Sequence, residues 1–291
     1  KLEIINLIGA PLILIAGNLG VSGYGYSTGY SASFYNPVGI TADGMGNLYV
    51  ADTGNHTIRK VVIATGVVTT VAGIPARPGF MNSEFGYPMF NYPRGICIIG
   101  NHLYVADSGS HLVRRVNLST GYVGLVAGLS DYVLNIGSPG TSDSTGAAAG
   151  FYDPRGITTD GKYLYVTDSG NHTIRRILAA TGQVRTIAGM PGEAGYIDDV
   201  SFGARFNYPR GITADGDYLY VADTGNNVFR RVNKETGEVL TLSGKKGESS
   251  FIQGTREDAR YNNVVSVTTV PETPYLYFTD SAENVVGKIE K

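Results

Sequence analysis

The chain has 291 residues, a formal net charge of −2 and only 16% charged residues. It has no basic stripe that could neutralise phosphates, so we expect no nucleic-acid partner. The hydrophobic content of 42% is too high for a disordered chain, and forty glycines and twelve prolines indicate a turn-rich all-β protein. No apolar run is long enough to span a bilayer.

The single cysteine, Cys97, leaves no disulfide framework and is expected to be a buried, inert thiol. The sequence has neither a haem-attachment motif nor zinc-ligand spacing. We therefore expect no metal and no cofactor.

The chain begins with an apolar stretch, residues 4–16, preceded by Lys1, a pattern also found in signal-peptide cores. However, residues 12–17 match the sequence that ends each later repeat. These endings are Val71-Ala72-Gly73, Val126-Ala127-Gly128, Ile187-Ala188-Gly189 and Leu242-Ser243-Gly244. We therefore interpret the N-terminal segment as a strand of the fold.

A repeat then runs through the chain. Its first strand begins at Pro37, Pro93, Pro154 and Pro209, and Val264 takes this place in a degenerate fifth copy. The steps are 56, 61, 55 and 55 residues. A period of this size marks a supersecondary unit that must stack on its neighbours to bury its faces.

The third copy shows what one unit contains. Four β-branched or alternating segments, at 156–159, 163–166, 173–177 and 184–187, are separated by turn sequences such as Asp160-Gly161 and Thr181-Gly182. Four antiparallel strands joined by tight turns form the blade of a β-propeller.

The fifth copy ends after its third strand, at residues 285–289, and the N-terminal strand can supply the fourth. We therefore predict one all-β domain over 1–291, a single five-bladed β-propeller of four-stranded antiparallel blades, with the last blade closed by the N-terminal strand. The predicted blades are roughly 34–73, 90–128, 151–189, 206–244 and 261–291 plus 1–17.

The Asn-His-Thr-Ile-Arg motif at 55–59 and 171–175, with variants at 110–114 and 226–230, resembles the NHL (Asn-His-Leu) repeat. The Pro-x-Gly-Ile and Val-Ala-Asp signatures extend the resemblance to all but the connecting loops, although the fifth copy lacks the Pro, the Arg and the His. NHL-like propellers include adhesive and sensor domains, RNA-binding domains and a few lyases that hold zinc with histidines from different blades. Function must therefore be argued from the site.

Two kinds of repeated residue are interpreted as structural. One is an Asp seven residues before an Arg, and the other is the His in the turn between them. The copies of this His are a whole blade apart, so they are too distant from one another to share a metal ion. The pairs are Asp52/Arg59, Asp107/Arg114, Asp168/Arg175 and Asp223/Arg230, and the histidines are His56, His111 and His172.

Three arginines are more specific. Arg94, Arg155 and Arg210 each follow the proline that begins an innermost strand, whereas Val38 and Val265 take this place in the other copies. They are expected near one mouth of the central channel. Two interpretations stay open, an anion or carboxylate site at the axis, or pairing of each arginine with an Asp of a neighbouring blade.

The linkers between blades are 16 residues long, except for one of 22 residues at 129–150. Linkers of this length are often functional, and we expect them at the same end as the arginines. They carry tyrosines suited either to contact a partner or to cover the blade ends, namely Tyr24, Tyr26, Tyr30, Tyr87, Tyr132 and Tyr196.

The favoured hypothesis is a non-enzymatic propeller that presents this Tyr- and Arg-bearing face to a protein partner or to a second copy of itself. Carbohydrate is a weaker option because the chain has no Trp. Low charge and high Gly, Ser and Thr favour an exported, cell-surface or periplasmic bacterial protein. The alternatives are a lyase or hydrolase acting at the channel mouth, and a structural module of an extracellular assembly or filament.

Overall fold

The computed structural model describes residues 13–131, 136–270 and 272–291. Blade 1 consists of β1 (Pro37–Ala42), β2 (Asn47–Asp52), β3 (Thr57–Val62) and β4 (Val68–Ala72), paired antiparallel in sequence order. Blade 2 consists of β5 (Pro93–Ile99), β6 (His102–Asp107), β7 (Leu112–Asn117) and β8 (Val123–Ala127). A small hairpin of β9 (Ser130–Asp131) and β10 (Ile136–Gly137) lies in the linker that follows.

Blade 3 consists of β11 (Pro154–Thr159), β12 (Tyr163–Asp168), β13 (Thr173–Leu178) and β14 (Gln183–Ala188). Blade 4 consists of β15 (Ile212–Asp215), β16 (Tyr218–Asp223), β17 (Val228–Asn233) and β18 (Val239–Ser243). Blade 5 contains β19 (Val264–Thr269), β20 (Tyr275–Asp280) and β21 (Val285–Glu290). The predicted five-bladed, all-β propeller is confirmed.

The alternation within each blade explains why blades stack. In β12, Leu164 and Val166 point to one side and Tyr165 and Thr167 to the other, and all four side chains are buried. A strand buried on both faces needs a sheet on each side. Ile157 of β11 accordingly packs in one cluster with residues of blade 2, and Tyr165 in another with residues of blade 4.

The first strands lie side by side around the centre. A Cβ atom added to Gly95 would overlap the carbonyl oxygen of Arg155 in the next blade, and Gly39 and Gly156 meet the same obstacle at their own neighbours. Only glycine fits at these positions because the backbones approach so closely. The Gly of the repeated Pro-x-Gly-Ile sequence is therefore a packing requirement.

Among the described residues this packing is not repeated between blades 1 and 5, and we call this boundary the seam. Ile40 of β1 is 61% exposed, whereas Ile157, at the same position in β11, is 6% exposed. On the other side of the seam, Val286 of β21 is 78% exposed, whereas its counterpart Ile58 in β3 is fully buried. At the seam, apolar residues of blades 1 and 5 are thus exposed at positions where the other blades bury them.

Part of the N-terminal segment lies against blade 1. Ile15 and Ala16 pack against the buried cluster of Ala32, Val50, Val61 and Val68. The amide of Gly17 donates to the carbonyl of Gly29 at 3.0 Å. Of the segment predicted to close blade 5, residues 13–17 have no strand assignment, and residues 1–12 lie outside the described residues.

Cys97 is 7% exposed in the core between blades 2 and 3, and burial raises the pKa of its thiol, as expected of an inert cysteine. Within the described ranges no helix is long and apolar enough to cross a membrane.

Candidate functional site

The topology gives the ring two different ends. Each first strand begins, and each second strand finishes, at what we call the loop end, which carries the short 3-10 turns between second and third strands. These turns are Thr53–Asn55, Ser108–Ser110, Ser169–Asn171 and Thr224–Asn226. The hairpins that join the first to the second strand and the third to the fourth lie at the other end.

At the loop end, each repeated Asp and Arg form a buried ion pair. Asp168 Oδ2 lies 2.7 Å from Arg175 Nη1, and the carboxylate also accepts the Tyr152 amide at 2.7 Å and the side chain of Asn171 at 2.8 Å. Burial raises the pKa of Asp168 to about 6, and Arg175 opposes the rise. The equivalent ion pairs measure 3.0 Å for Asp52/Arg59, 3.1 Å for Asp107/Arg114 and 2.9 Å for Asp223/Arg230.

These pairs fasten the linkers to the blades. Arg175 donates to the carbonyl of Gly150 at 2.7 Å and to that of Ser142 at 3.0 Å, both in the preceding linker. Asn171 donates to the carbonyl of Gly140 in the same linker at 2.7 Å. The geometry agrees with a structural role for the Asp/Arg pairs.

The histidines connect neighbouring blades. His172 has a left-handed backbone with φ of 60°, and its Nδ1 accepts the amide of Tyr208, in the next blade, at 3.0 Å. His56 and His111 accept the amides of Tyr92 and Asp153 in the same way, each at 3.1 Å. Burial lowers the pKa of all three imidazoles. Across 13–131, 136–270 and 272–291 no group of His, Cys, Asp or Glu is arranged to hold a metal ion.

The linkers lie only in part at the loop end, contrary to the expectation. Their middle portions pair with the outer strand of the following blade, where Val68, Val184 and Val239 donate their amides to linker carbonyls at 3.0, 2.7 and 2.9 Å. The linkers thereby cover the edge of each outer strand. Within the 22-residue linker, Gly146–Ala148 forms a 3-10 turn.

The linker tyrosines divide into two groups. Tyr24, Tyr26, Tyr30 and Tyr87 are exposed, the last by 82%. Tyr196 is partly buried, with its ring centre 5.1 Å from the Arg230 guanidinium and its hydroxyl accepting from Thr241 at 3.0 Å. Tyr132 lies outside the described residues.

The three predicted arginines meet at the centre of the loop end. Arg155 Nε donates to Asp153 Oδ2 at 2.8 Å, and the hydroxyl of Tyr208 donates to the same oxygen at 2.7 Å. The guanidinium carbons of Arg155 and Arg210 lie 4.9 and 5.8 Å from the centre of the Tyr208 ring. We call Arg94, Arg155, Arg210, Asp153 and Tyr208 the axial cluster.

Its charges are unbalanced. The Nε atoms of Arg94 and Arg210 are buried and have no hydrogen-bond acceptor among the described residues. Burial lowers the pKa of both guanidiniums, and the positive charge of Arg155 lowers each further. Three guanidiniums and one carboxylate leave a net charge of 3 − 1 = +2. Pairing with a carboxylate therefore accounts for Arg155 alone, and its partner belongs to the same blade.

Comparison with known proteins assigns the repeat. The model of the NHL repeat matches residues 34–61 and 90–115, and that of the LVIVD repeat matches residues 208–229. The chain is an NHL-repeat β-propeller. Propellers of this family are generally interaction modules rather than enzymes.

The chain is 26% identical to NHL repeat-containing protein 2 of Bos taurus, over 87% of the chain and 46% of the relative. It is 33% identical to the chloroplastic protein Suppressor of Quenching 1 of Arabidopsis thaliana, over 68% of the chain and 19% of the relative. The chain spans less than half the length of these relatives. A solved nidogen–laminin complex shares the fold with a TM-score of 0.61 and 18% identity, covering 89% of this chain and 78% of the other.

The sequence reasoning missed a second group of tyrosines in this NHL-repeat propeller. Tyr35, Tyr92 and Tyr152, like Tyr208 of the axial cluster, lie one or two residues before the proline that begins their first strand, and these three are about half exposed. The signal was available, since four of the five copies place a tyrosine there.

Proposed function

We propose that this NHL-repeat propeller is a non-enzymatic binding module whose loop end contacts a protein partner. The observation that carries the proposal is the set of half-exposed tyrosines, Tyr35, Tyr92 and Tyr152, just before their first strands. A tyrosine combines a large apolar ring with a polar tip and loses little rotamer entropy on binding, which makes it a favourable contact residue.

The scaffold holds these rings before any partner arrives. Tyr152 packs over Gly170, where an added Cβ atom would lie 2.6 Å from the tyrosine ring. The ring of Tyr92 meets His56 edge to face at 4.5 Å, and its backbone is fixed in the left-handed region with φ of 50°. Binding by such residues costs little additional ordering.

Selection from a random peptide library against the purified propeller tests the proposal. Selected peptides should lose at least about tenfold in affinity for the double variant Y92A/Y152A, which corresponds to about 1.4 kcal/mol. The matched control is Y87A, which removes an exposed linker tyrosine. Equal binding to wild type and Y92A/Y152A, with both folded by circular dichroism, would place the contact surface elsewhere.

We also propose that the protein is exported and acts at the cell surface, on the grounds of its low charge and its Gly-, Ser- and Thr-rich composition. Protease added to intact cells should degrade it, whereas a cytoplasmic marker should survive. Survival of both would reject surface exposure.

The seam favours a second candidate function, a structural module that assembles with copies of itself. The exposed Ile40 and Val286 faces are of the kind that the blades bury against one another elsewhere in the ring. Light scattering should show concentration-dependent oligomers that V286D abolishes and L19D, a change at an exposed residue outside the seam, does not. A wild-type protein that stays monomeric would reject assembly and leave the binding proposal standing.

A further inference from the structure

We propose that the axial cluster binds a carboxylate presented by a polypeptide, either an acidic side chain or a chain terminus. The proposal rests on the binding function above and names the chemistry that the loop end recognises. Its basis is two guanidiniums, those of Arg94 and Arg210, next to a third that is already paired.

The fold does not need these arginines. Val38 and Val265 take the same position in blades 1 and 5, where the first strand forms without a guanidinium. The repeated Asp/Arg pairs differ in this respect, because their side chains fasten a linker in each of the first four blades. The first strand therefore forms without an arginine at this position in two of the five blades.

The cluster is costly without an anion. Like charges that are partly removed from water repel one another, and a buried N–H group without an acceptor loses the hydrogen bonds it would make in water. The repulsion is particular to the axial cluster, whereas a buried Nε without an acceptor among the described residues occurs in Arg94 and Arg210 and also in the repeat arginines Arg59, Arg175 and Arg230. An anion held by Arg94 and Arg210 would remove the repulsion.

The cluster itself shows how a carboxylate is held. Asp153 accepts from the guanidinium of Arg155 and from the hydroxyl of Tyr208 through one oxygen. A planar carboxylate matches the fork of donors on an arginine. A polyphosphate or nucleic acid would need positive charge beyond the cluster, whereas the chain has a net charge of −2.

Fluorescence anisotropy with labelled hexaglutamate as the probe, and hexaglutamine as its uncharged match, tests this assignment. Wild-type protein should bind hexaglutamate at least about tenfold more tightly than hexaglutamine. The double variant R94V/R210V, which uses the residue that the repeat itself has at Val38 and Val265, should lose that preference. The control R115V/R185V removes two exposed arginines and the same amount of charge, and should retain the preference.

A second variant works in the opposite direction and does not depend on a loss of binding. D153N releases Arg155 from its ion pair and raises the positive charge of the cluster, so it should tighten hexaglutamate binding. Weaker binding by D153N would overturn the assignment. Equal losses of hexaglutamate affinity in R94V/R210V and R115V/R185V would overturn it too. The assignment would also fail if single-stranded DNA or inorganic phosphate competed with hexaglutamate and free glutarate did not. Library-selected peptides that lack acidic residues and ignore R94V/R210V would leave the binding function intact and reject the carboxylate site.

Discussion

Replacing Asp168 with alanine should destabilise the protein more than replacing the other carboxylate that touches the same arginine. Asp168 is fully buried, and its removal leaves the Tyr152 amide without its acceptor and takes one acceptor each from Asn171 and Arg175. Breaking a buried ion pair costs about 3–5 kcal/mol. Because Arg175 keeps Asp143 as a second partner, we expect D168A to lower the free energy of unfolding by about 3 kcal/mol, the lower end of that range.

The control is Asp143, which lies 2.9 Å from another nitrogen of Arg175 but is 39% exposed. A half-exposed ion pair contributes about 0–1 kcal/mol, and the lost bonds from Thr186 to Asp143 add about 1 kcal/mol more. D143A should therefore cost about 2 kcal/mol or less. The comparison isolates burial, since both variants remove a carboxylate from one guanidinium.

Urea unfolding at pH 8, followed by circular dichroism, measures both variants while the Asp168 carboxylate is ionised, since its pKa is about 6. Equal and small losses in D168A and D143A would refute the reasoning, because the buried pair would then contribute no more than the exposed one. A folded D168A that loses peptide binding without losing stability would instead mark Asp168 as functional.

Three further predictions follow from the contacts between blades. Burial lowers the pKa of His172 below the usual 6.5, so the unfolded state takes up its proton first and stability falls as the pH drops through this region. H172N, which copies Asn227 of the next blade, should make stability depend less on pH between about 7.5 and 5, as read from urea midpoints. G95A should cost about 2–3 kcal/mol, because its methyl group meets backbone of the next blade. The methyl group of G124A meets only the ring of Tyr122, at 3.3 Å, and this change should cost under about 1 kcal/mol. I15D should lower the melting temperature by several degrees if this residue covers blade 1 as its packing indicates, and an unchanged value would show that the segment contributes no burial.

The repeated features of the fold could be read from the sequence. A strand pattern that recurs with turn residues in register predicts stacked blades, because each copy alone would leave its two apolar faces exposed. The Asp/Arg pairing followed from the same logic, since a hairpin brings residues seven positions apart together, as in Asp168 and Arg175.

Features that depend on contacts between copies could not be read in this way. Whether Arg94 and Arg210 find a carboxylate depends on where side chains of different blades meet, and strand patterns do not encode that distance. The path of the linkers depends on hydrogen bonds to outer strands, and linker length does not reveal these bonds. The seam was hidden because Ile40 and Val286 have the residue types of a buried interface, and a sequence pattern records residue type rather than burial.

The copies differ from one another at the opening of the channel, and their charged residues are not spread evenly around it. The arginines come from three consecutive blades, 2, 3 and 4, whereas blades 1 and 5, on either side of the seam, contribute Val38 and Val265. Val38 is half exposed. One side of the opening is therefore cationic and the other apolar, so a partner that satisfies both must present an acidic group beside an apolar side chain. A second copy of the chain that binds at the seam would contact only the apolar side. The peptide-binding and assembly proposals can therefore be separated by their dependence on salt. Higher ionic strength should weaken peptide binding and leave assembly nearly unchanged.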